Sequence, residues 1–145
     1  MTTIAYRDGV LAADSKVTDS GCYVGSVQKV FRAEDGTIGA LAGCLGDNGI
    51  FRDWLLSGRE GPCELKDQGS EGIFVTPDGK IWNVYHGGKV FEITGSAFYA
   101  HGSGFRIALG AMAAGASAEA AVRICCDLDD STREPIRVER LGYKP

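Results

Sequence analysis

Turn signals recur so closely along this chain that most of it can hold only short extended segments. Thr2 to Arg7 is apolar enough for a strand, Asp8-Gly9 supplies a hairpin turn, and Val10 to Asp14 returns. Tyr23 to Arg32 reads as one further extended stretch, which Asp35-Gly36 turns into Thr37 to Ala42, a small-residue run suited to a buried strand. Glu71 to Val75, Pro77-Asp78-Gly79 and Ile81 to Tyr85 form a second hairpin, and Lys89 to Thr94 and Ala97 to Ala100 add short strands. Three segments carry helical signals instead. Ile50, Phe51, Trp54 and Leu55 recur at 3–4 spacing, with Asp47 placed to cap a helix over Asn48 to Leu56. Phe105 to Ala114 is a small-residue helix stopped at Gly115, and Ser117 caps another over Ala118 to Leu128, with Glu119 near its positive end. Residues 58–71 read as a polar connection, and Ile136 to Leu141 closes with strand-like alternation. The order is strands, one helix, strands, two helices, strand. It predicts one α+β domain over residues 1–145 built from two mostly antiparallel sheets covered by helices, as a four-layer sandwich or a two-layer domain.

Bulk properties narrow the function. A net charge of −4 argues against nucleic acid or an anionic membrane surface as the main partner. No apolar run approaches the ~18–20 residues of a membrane span, and the first residues lack the basic and apolar regions of a secretory signal. Five cysteines (Cys22, Cys44, Cys63, Cys125, Cys126) form an odd set without CxxC spacing, which points to a reduced, cytoplasmic protein rather than a disulfide framework or zinc site.

Chemistry enters at Met1-Thr2-Thr3. Removal of a start methionine before a small residue leaves Thr2 with a free α-amine, so a single residue holds a hydroxyl nucleophile and a weak base. Such an amine titrates near ~8, and much of it can accept a proton at neutral pH.

Thr2-Thr3-Ile4, then Leu11-Ala12-Ala13-Asp14-Ser15-Lys16-Val17-Thr18, then Gly25-Ser26-Val27-Gln28-Lys29-Val30 resemble proteasome β-subunits, and most of all the bacterial HslV-type peptidases. Ala42-Gly43 with Asp47 beyond it, Gly102-Ser103-Gly104 opening a helix, the two closing helices and the final strand extend the resemblance over nearly the whole chain. It implies a four-layer αββα fold of the N-terminal nucleophile hydrolases and a role for each matching position. Thr2 is implied as nucleophile, Lys29 as the ammonium beside it, and Gly43 as the backbone N–H donor to the oxyanion. Asp14 ends a nearly apolar strand, where a carboxylate is costly unless paired. Pairing with Lys29 would satisfy both groups; bonding the Ser15 or Lys16 amides is the other reading. Ser103 is implied as support for the terminal amine, and reads equally well as an N-cap. Asp129 is implied as the acidic position near it.

The resemblance further implies that Thr18 and Gly43 offer backbone bonds to an extended peptide, and that Val17, Val27, Phe31, Leu41 and Leu45 line an apolar pocket for the residue before the cut. No cofactor is required, although the backbone carbonyls of Cys126, Asp129 and Thr132 have the spacing with which the family holds a structural Na+ or Mg2+. His86 and His101 read as surface or hydrogen-bonded core residues. The expected partners are a peptide or unfolded-protein substrate, further copies of the chain in a ring, and an ATP-dependent unfoldase. One departure stands out: the family carries two long helices between the turn at Gly43 and the next hairpin, whereas this chain has room for one short helix. Three functions follow from these residues: a threonine endopeptidase, a catalytically silent scaffold of the same build, and an N-terminal nucleophile amidohydrolase acting on a small amide.

Overall fold

The computed structural model describes residues 2–142. In chain order the elements are β1 (Thr3–Arg7), β2 (Val10–Ala13), β3 (Lys16–Asp19), β4 (Cys22–Ser26), β5 (Val30–Arg32), β6 (Ile38–Ala42), α1 (Leu45–Leu56), β7 (Glu71–Val75), β8 (Ile81–Tyr85), β9 (Val90–Ile93), β10 (Phe98–Gly102), α2 (Phe105–Ala113), α3 (Ala118–Leu128) and β11 (Arg137–Arg140). The fold is α+β with antiparallel sheets. One sheet runs β10-β1-β2-β11, a second runs β5-β6-β7-β8-β9, and β3 and β4 form a separate two-stranded hairpin.

Side-chain alternation along the strands explains why they carry so little polar sequence. In β1 and β2, Ile4, Tyr6, Leu11 and Ala13 pack with Val30, Ile38, Ala40, Ile73 and Val75 of the second sheet. The intervening Ala5 and Ala12, with Ala100 of β10, face Ala108, Met112, Ala121 and Val122 of α2 and α3. Alanine on both sides lets these helices sit close to the sheet. On the far side of the second sheet, Phe31, Leu41 and Phe74 are covered by Phe51, Trp54 and Leu55 of α1. Both faces of both central strands are thus buried.

The expected third extended stretch is two strands. Residues 27–29 leave the hairpin and cross to the second sheet, with the Val27 amide donating to the Ser15 carbonyl at 2.9 Å. The crossing sets Lys29 at the end of β1 and β2 rather than out along a strand. Lys16 to Asp19, given no strand by the sequence, pairs back on β4 through Ser20 and Gly21, both at positive φ.

Asp47 does not cap α1. The helix begins at Leu45 with Cys44 in the cap position, and Asp47 sits inside the first turn. Its carboxylate instead accepts the amides of Lys66 at 2.8 Å and Asp67 at 2.9 Å. Together with Trp54 Nε1 donating to the Gly61 carbonyl at 3.0 Å, this pins down the polar connection, which buries Cys63 and Leu65 against α1. All five cysteines are free thiols. Burial pushes those of Cys63 and Cys125 up to about 11, which keeps them protonated. Among the described residues, no helix is long and apolar enough to cross a membrane.

Candidate active site

The ends of β1 and β2, the 27–29 crossing, the turn after β6 and the loop before α2 converge on Thr2. Met1 lies outside the described residues. Thr2 is buried at 3% exposure, and its carbonyl accepts the Ser103 amide at 2.7 Å.

Asp14 and Lys29 meet in the interior. Lys29 Nζ donates to Asp14 Oδ1 at 3.1 Å, with the carboxylate at 0% and the lysine at 5% exposure. The carboxylate also accepts the amides of Thr3 at 3.0 Å, Lys16 at 3.1 Å and Arg133 at 3.2 Å. Pairing with Lys29 and capping of the Lys16 amide therefore coexist on one residue. Burial pulls the Lys29 ammonium below the usual lysine range, and the Asp14 charge works against that fall without cancelling it.

Ser103 does not cap α2, whose cap position is Gly104. Its hydroxyl donates to Asp129 Oδ2 at 2.7 Å and lies 3.4 Å from the Thr2 carbonyl. The Thr132 hydroxyl donates to the same carboxylate oxygen at 2.6 Å. With its hydrogen so engaged, Thr132 Oγ1 must accept from the Thr3 hydroxyl, 2.7 Å away. Two carboxylates thus hold the start of β1 from opposite directions, Asp14 through the Thr3 amide and Asp129 through hydroxyls. Burial pushes the Asp129 carboxyl up, but the Thr132 and Ser103 hydrogen bonds outweigh it and hold the group below its ordinary range.

The Gly-Ser-Gly sequence has a steric cause. Gly102 sits at φ +98°, where side chains are rare, and a Cβ there would lie 1.8 Å from the Thr2 carbonyl oxygen. At Gly43 a Cβ would lie 2.1 Å from Ser70 Oγ, the group that accepts the Cys44 amide at 3.3 Å.

Thr2 separates two cavities. A cleft of about 310 Å³ is lined by Thr2, Lys29 and Gly43 together with Val17, Thr18, Val27, Leu41 and Leu45. Phe31 is not among them: it is buried in the core beneath α1, because its strand turns that face toward Trp54 and Leu55. A second cavity of about 500 Å³ shares Thr2, Gly43 and Cys44 and extends to His101, Ser103, Phe105 and Asp67. His101 there pairs with Glu71 at 2.6 Å, and Asn83 also donates to that carboxylate. Burial raises the Glu71 carboxyl, but His101, Tyr85 and Asn83 together hold it below its usual range.

Lys16 and Asn48 border the first cavity and His101 the second, and none of the three had been given a role in the site from sequence. Each is an ordinary surface or turn residue type, and only long-range packing brings it near Thr2. The loop implied as a cation site is tied by its own bonds: the Asp129 carbonyl accepts the Thr132 amide at 3.0 Å, and the Asp129 carboxylate is occupied by two hydroxyls. Among the described residues, no group of three or more His, Cys, Asp or Glu side chains is arranged to hold a metal.

No protein-family model matches the chain, and no curated protein does. Solved structures are similar in fold. A Thiobacillus denitrificans protein named BPH superposes with a TM-score of 0.69 at 22% identity, covering 99% of this chain and 99% of that one. The same protein in complex with epoxomicin gives a TM-score of 0.66 at 22% identity, covering 98% of this chain and 99% of its own.

Proposed function

We propose that this chain is a threonine endopeptidase of the N-terminal nucleophile type, with a four-layer αββα sandwich as its scaffold. The observation that carries the reading is the buried Lys29–Asp14 pair, at 3.1 Å, opening onto the same cleft as Thr2. A buried ammonium is costly to keep, and a position beside a hydroxyl that must become an alkoxide gives it a use.

Removal of Met1 frees the Thr2 α-amine. Thr2 Oγ then attacks the peptide carbonyl, and its proton passes to that amine while Lys29 favours the developing negative charge. The Gly43 N–H donates to the oxyanion of the tetrahedral intermediate. Collapse returns the proton to the leaving amine and leaves an ester on Thr2. Water, deprotonated by the α-amine, hydrolyses that ester and regenerates the hydroxyl. Ser103, Asp129 and Thr132 are positioning residues that hold the first residues of β1 in register. Space on both sides of Thr2 favours a peptide over a small amide, since both the acyl and the amine portions need room. The similar fold of BPH, a protein that binds epoxomicin, supports the reading.

Mass spectrometry is expected to find a mature chain beginning at Thr2. Fluorogenic peptides should be cleaved by that protein and blocked by epoxomicin, and Thr2→Ala should lose ~10⁴-fold or more in kcat. Turnover indifferent to Thr2→Ala would sink the proposal.

We further infer self-assembly, in keeping with a ring of copies that can be fed by an unfoldase. Tyr23 and Val24 on the β3–β4 hairpin and Leu45 at the cleft are 48%, 60% and 57% exposed, and apolar groups gathered beside a site favour association. Sedimentation is expected to give a mass several times that of one chain, and replacing Tyr23 and Val24 by serine to lower it. A monomer at all concentrations counts against assembly.

A further inference from the structure

Under the peptidase reading the aliphatic cleft takes the acyl side of the cut, which leaves the cavity of about 500 Å³ for the residue after it. The polar connection between α1 and β7 brings a carboxylate to that second cavity, which Asp67 and Gly69 both border. Three bonds fix the loop there. The Asp67 amide donates to Asp47 Oδ2 at 2.9 Å, the Ser70 amide to the Asp67 carbonyl at 3.1 Å, and the Gly69 amide to Asp67 Oδ1 at 2.7 Å. Asp67 nevertheless stays exposed. Among the described residues its carboxylate meets no cation and only the Gly69 donor. A carboxylate has about four acceptor sites, so most of this one is left to solvent.

Charge differs between the two sides of Thr2. Lys16 and Lys29 border the aliphatic cleft, and among the described residues only Lys29 is held by a carboxylate. Neither lysine nor arginine borders the second cavity. Arg106 stacks on the Phe105 ring at 4.7 Å from behind that wall. His101 carries Glu71 with it at 2.6 Å, so the pair is neutral or negative in sum. The Thr2 α-amine is uncharged when it acts as base.

We propose that Asp67 selects the residue after the cut, so that the protein cleaves before lysine or arginine. The inference rests on the peptidase reading and specifies its substrate. The aliphatic stem of such a residue lies along Ala42, Cys44 and Phe105 while its charged head reaches Asp67 at the exposed loop. A glutamate there is opposed by the same carboxylate, and a basic residue before the cut is opposed by Lys16 and Lys29. The chain's net charge of −4 draws cationic peptides in general.

The test uses internally quenched peptides identical except after the cut, where they carry lysine, norleucine or glutamate, with the cut position read by mass spectrometry. Wild type is expected to favour lysine over norleucine about threefold to fivefold in kcat/KM, and over glutamate about tenfold or more. Raising salt should narrow both ratios. Asp67→Asn keeps an oxygen for the Gly69 amide and removes the charge, so the lysine-to-norleucine ratio should fall to unity. Asp67→Lys should favour glutamate over lysine. Ratios within one preparation cancel any loss of folded enzyme. A wild-type lysine-to-norleucine ratio near unity, one that survives Asp67→Asn, or a basic preference before the cut overturns the proposal. Binding of the same peptides to Thr2→Ala, followed by fluorescence anisotropy, needs no chemistry. Lysine-selective binding that Asp67→Asn abolishes, without turnover by wild type, would refute the peptidase and leave Asp67 as the cavity's cation-selecting residue. Absence of both turnover and selective binding would refute both.

Discussion

Replacing Lys29 by alanine is expected to cut turnover at least ~10³-fold while leaving the chain folded. The second half of that expectation comes from the Asp14 carboxylate. Without the ammonium it still accepts three backbone amides, from Thr3, Lys16 and Arg133, at 3.0 to 3.2 Å. A carboxylate with that many amide donors keeps its hydrogen-bonding capacity satisfied in the interior. What is lost is the cation that lines the same cleft as Thr2, and with it the stabilisation of the alkoxide that the proposed mechanism assigns to it. Kinetics on a fluorogenic peptide and a thermal melt of the same preparation read the two halves separately. Activity within tenfold of wild type in a folded variant would remove Lys29 from the mechanism.

The reciprocal change should behave quite differently. Asp14→Ala takes the acceptor from four donors at once, a buried ammonium among them, which is the expensive way to break an internal ion pair. The expected cost is ~3–5 kcal/mol, a large share of the ~5–15 kcal/mol by which a domain is stable. Part of the protein is then expected to be unfolded at physiological temperature, and the start of β1, held by the Thr3 amide on Asp14, should loosen in what remains folded. Urea denaturation of both variants provides the comparison. If Asp14→Ala is as stable as Lys29→Ala, the amide-cradle account of Asp14 is wrong. The two substitutions remove the same 3.1 Å contact, so the asymmetry isolates what the carboxylate does for the backbone from what the lysine does for chemistry.

How much of this was legible beforehand varies with the range over which each feature is decided. The hairpin at Asp8-Gly9 and the second one at Pro77-Asp78-Gly79 depend on a few consecutive residues, and the strands around them lie where the spacing puts them. Ser117 likewise caps its own helix, accepting the Ala120 amide at 3.1 Å. Ser103 looked equally suited to a cap, yet its hydroxyl goes to Asp129, 26 residues further on. Asp47 had the local signature of a helix start and was drawn instead to the amides of Lys66 and Asp67. A carboxylate bonds whichever unsatisfied donors the fold presents, and a local rule cannot count donors that arrive from elsewhere. Phe31 failed for a related reason. Its apolarity was plain, but which of two buried faces it joins depends on where residues 27–29 cross between sheets.

By itself, then, the amino-acid order determined the hairpins at Asp8-Gly9 and Pro77-Asp78-Gly79, the three helices, the alternation that buries both faces of the central strands, and the presence of a hydroxyl-bearing second residue. Those properties follow from apolar spacing, glycine and proline placement and side-chain chemistry, all of which act over a handful of bonds. Tertiary structure alone decided that Asp14 would also gather the amides of Thr3 and Arg133, and that Gly102 would lie against the Thr2 carbonyl. Each joins segments distant in sequence. The energy of such a contact depends on burial and on competing partners, and neither exists until the chain has closed on itself.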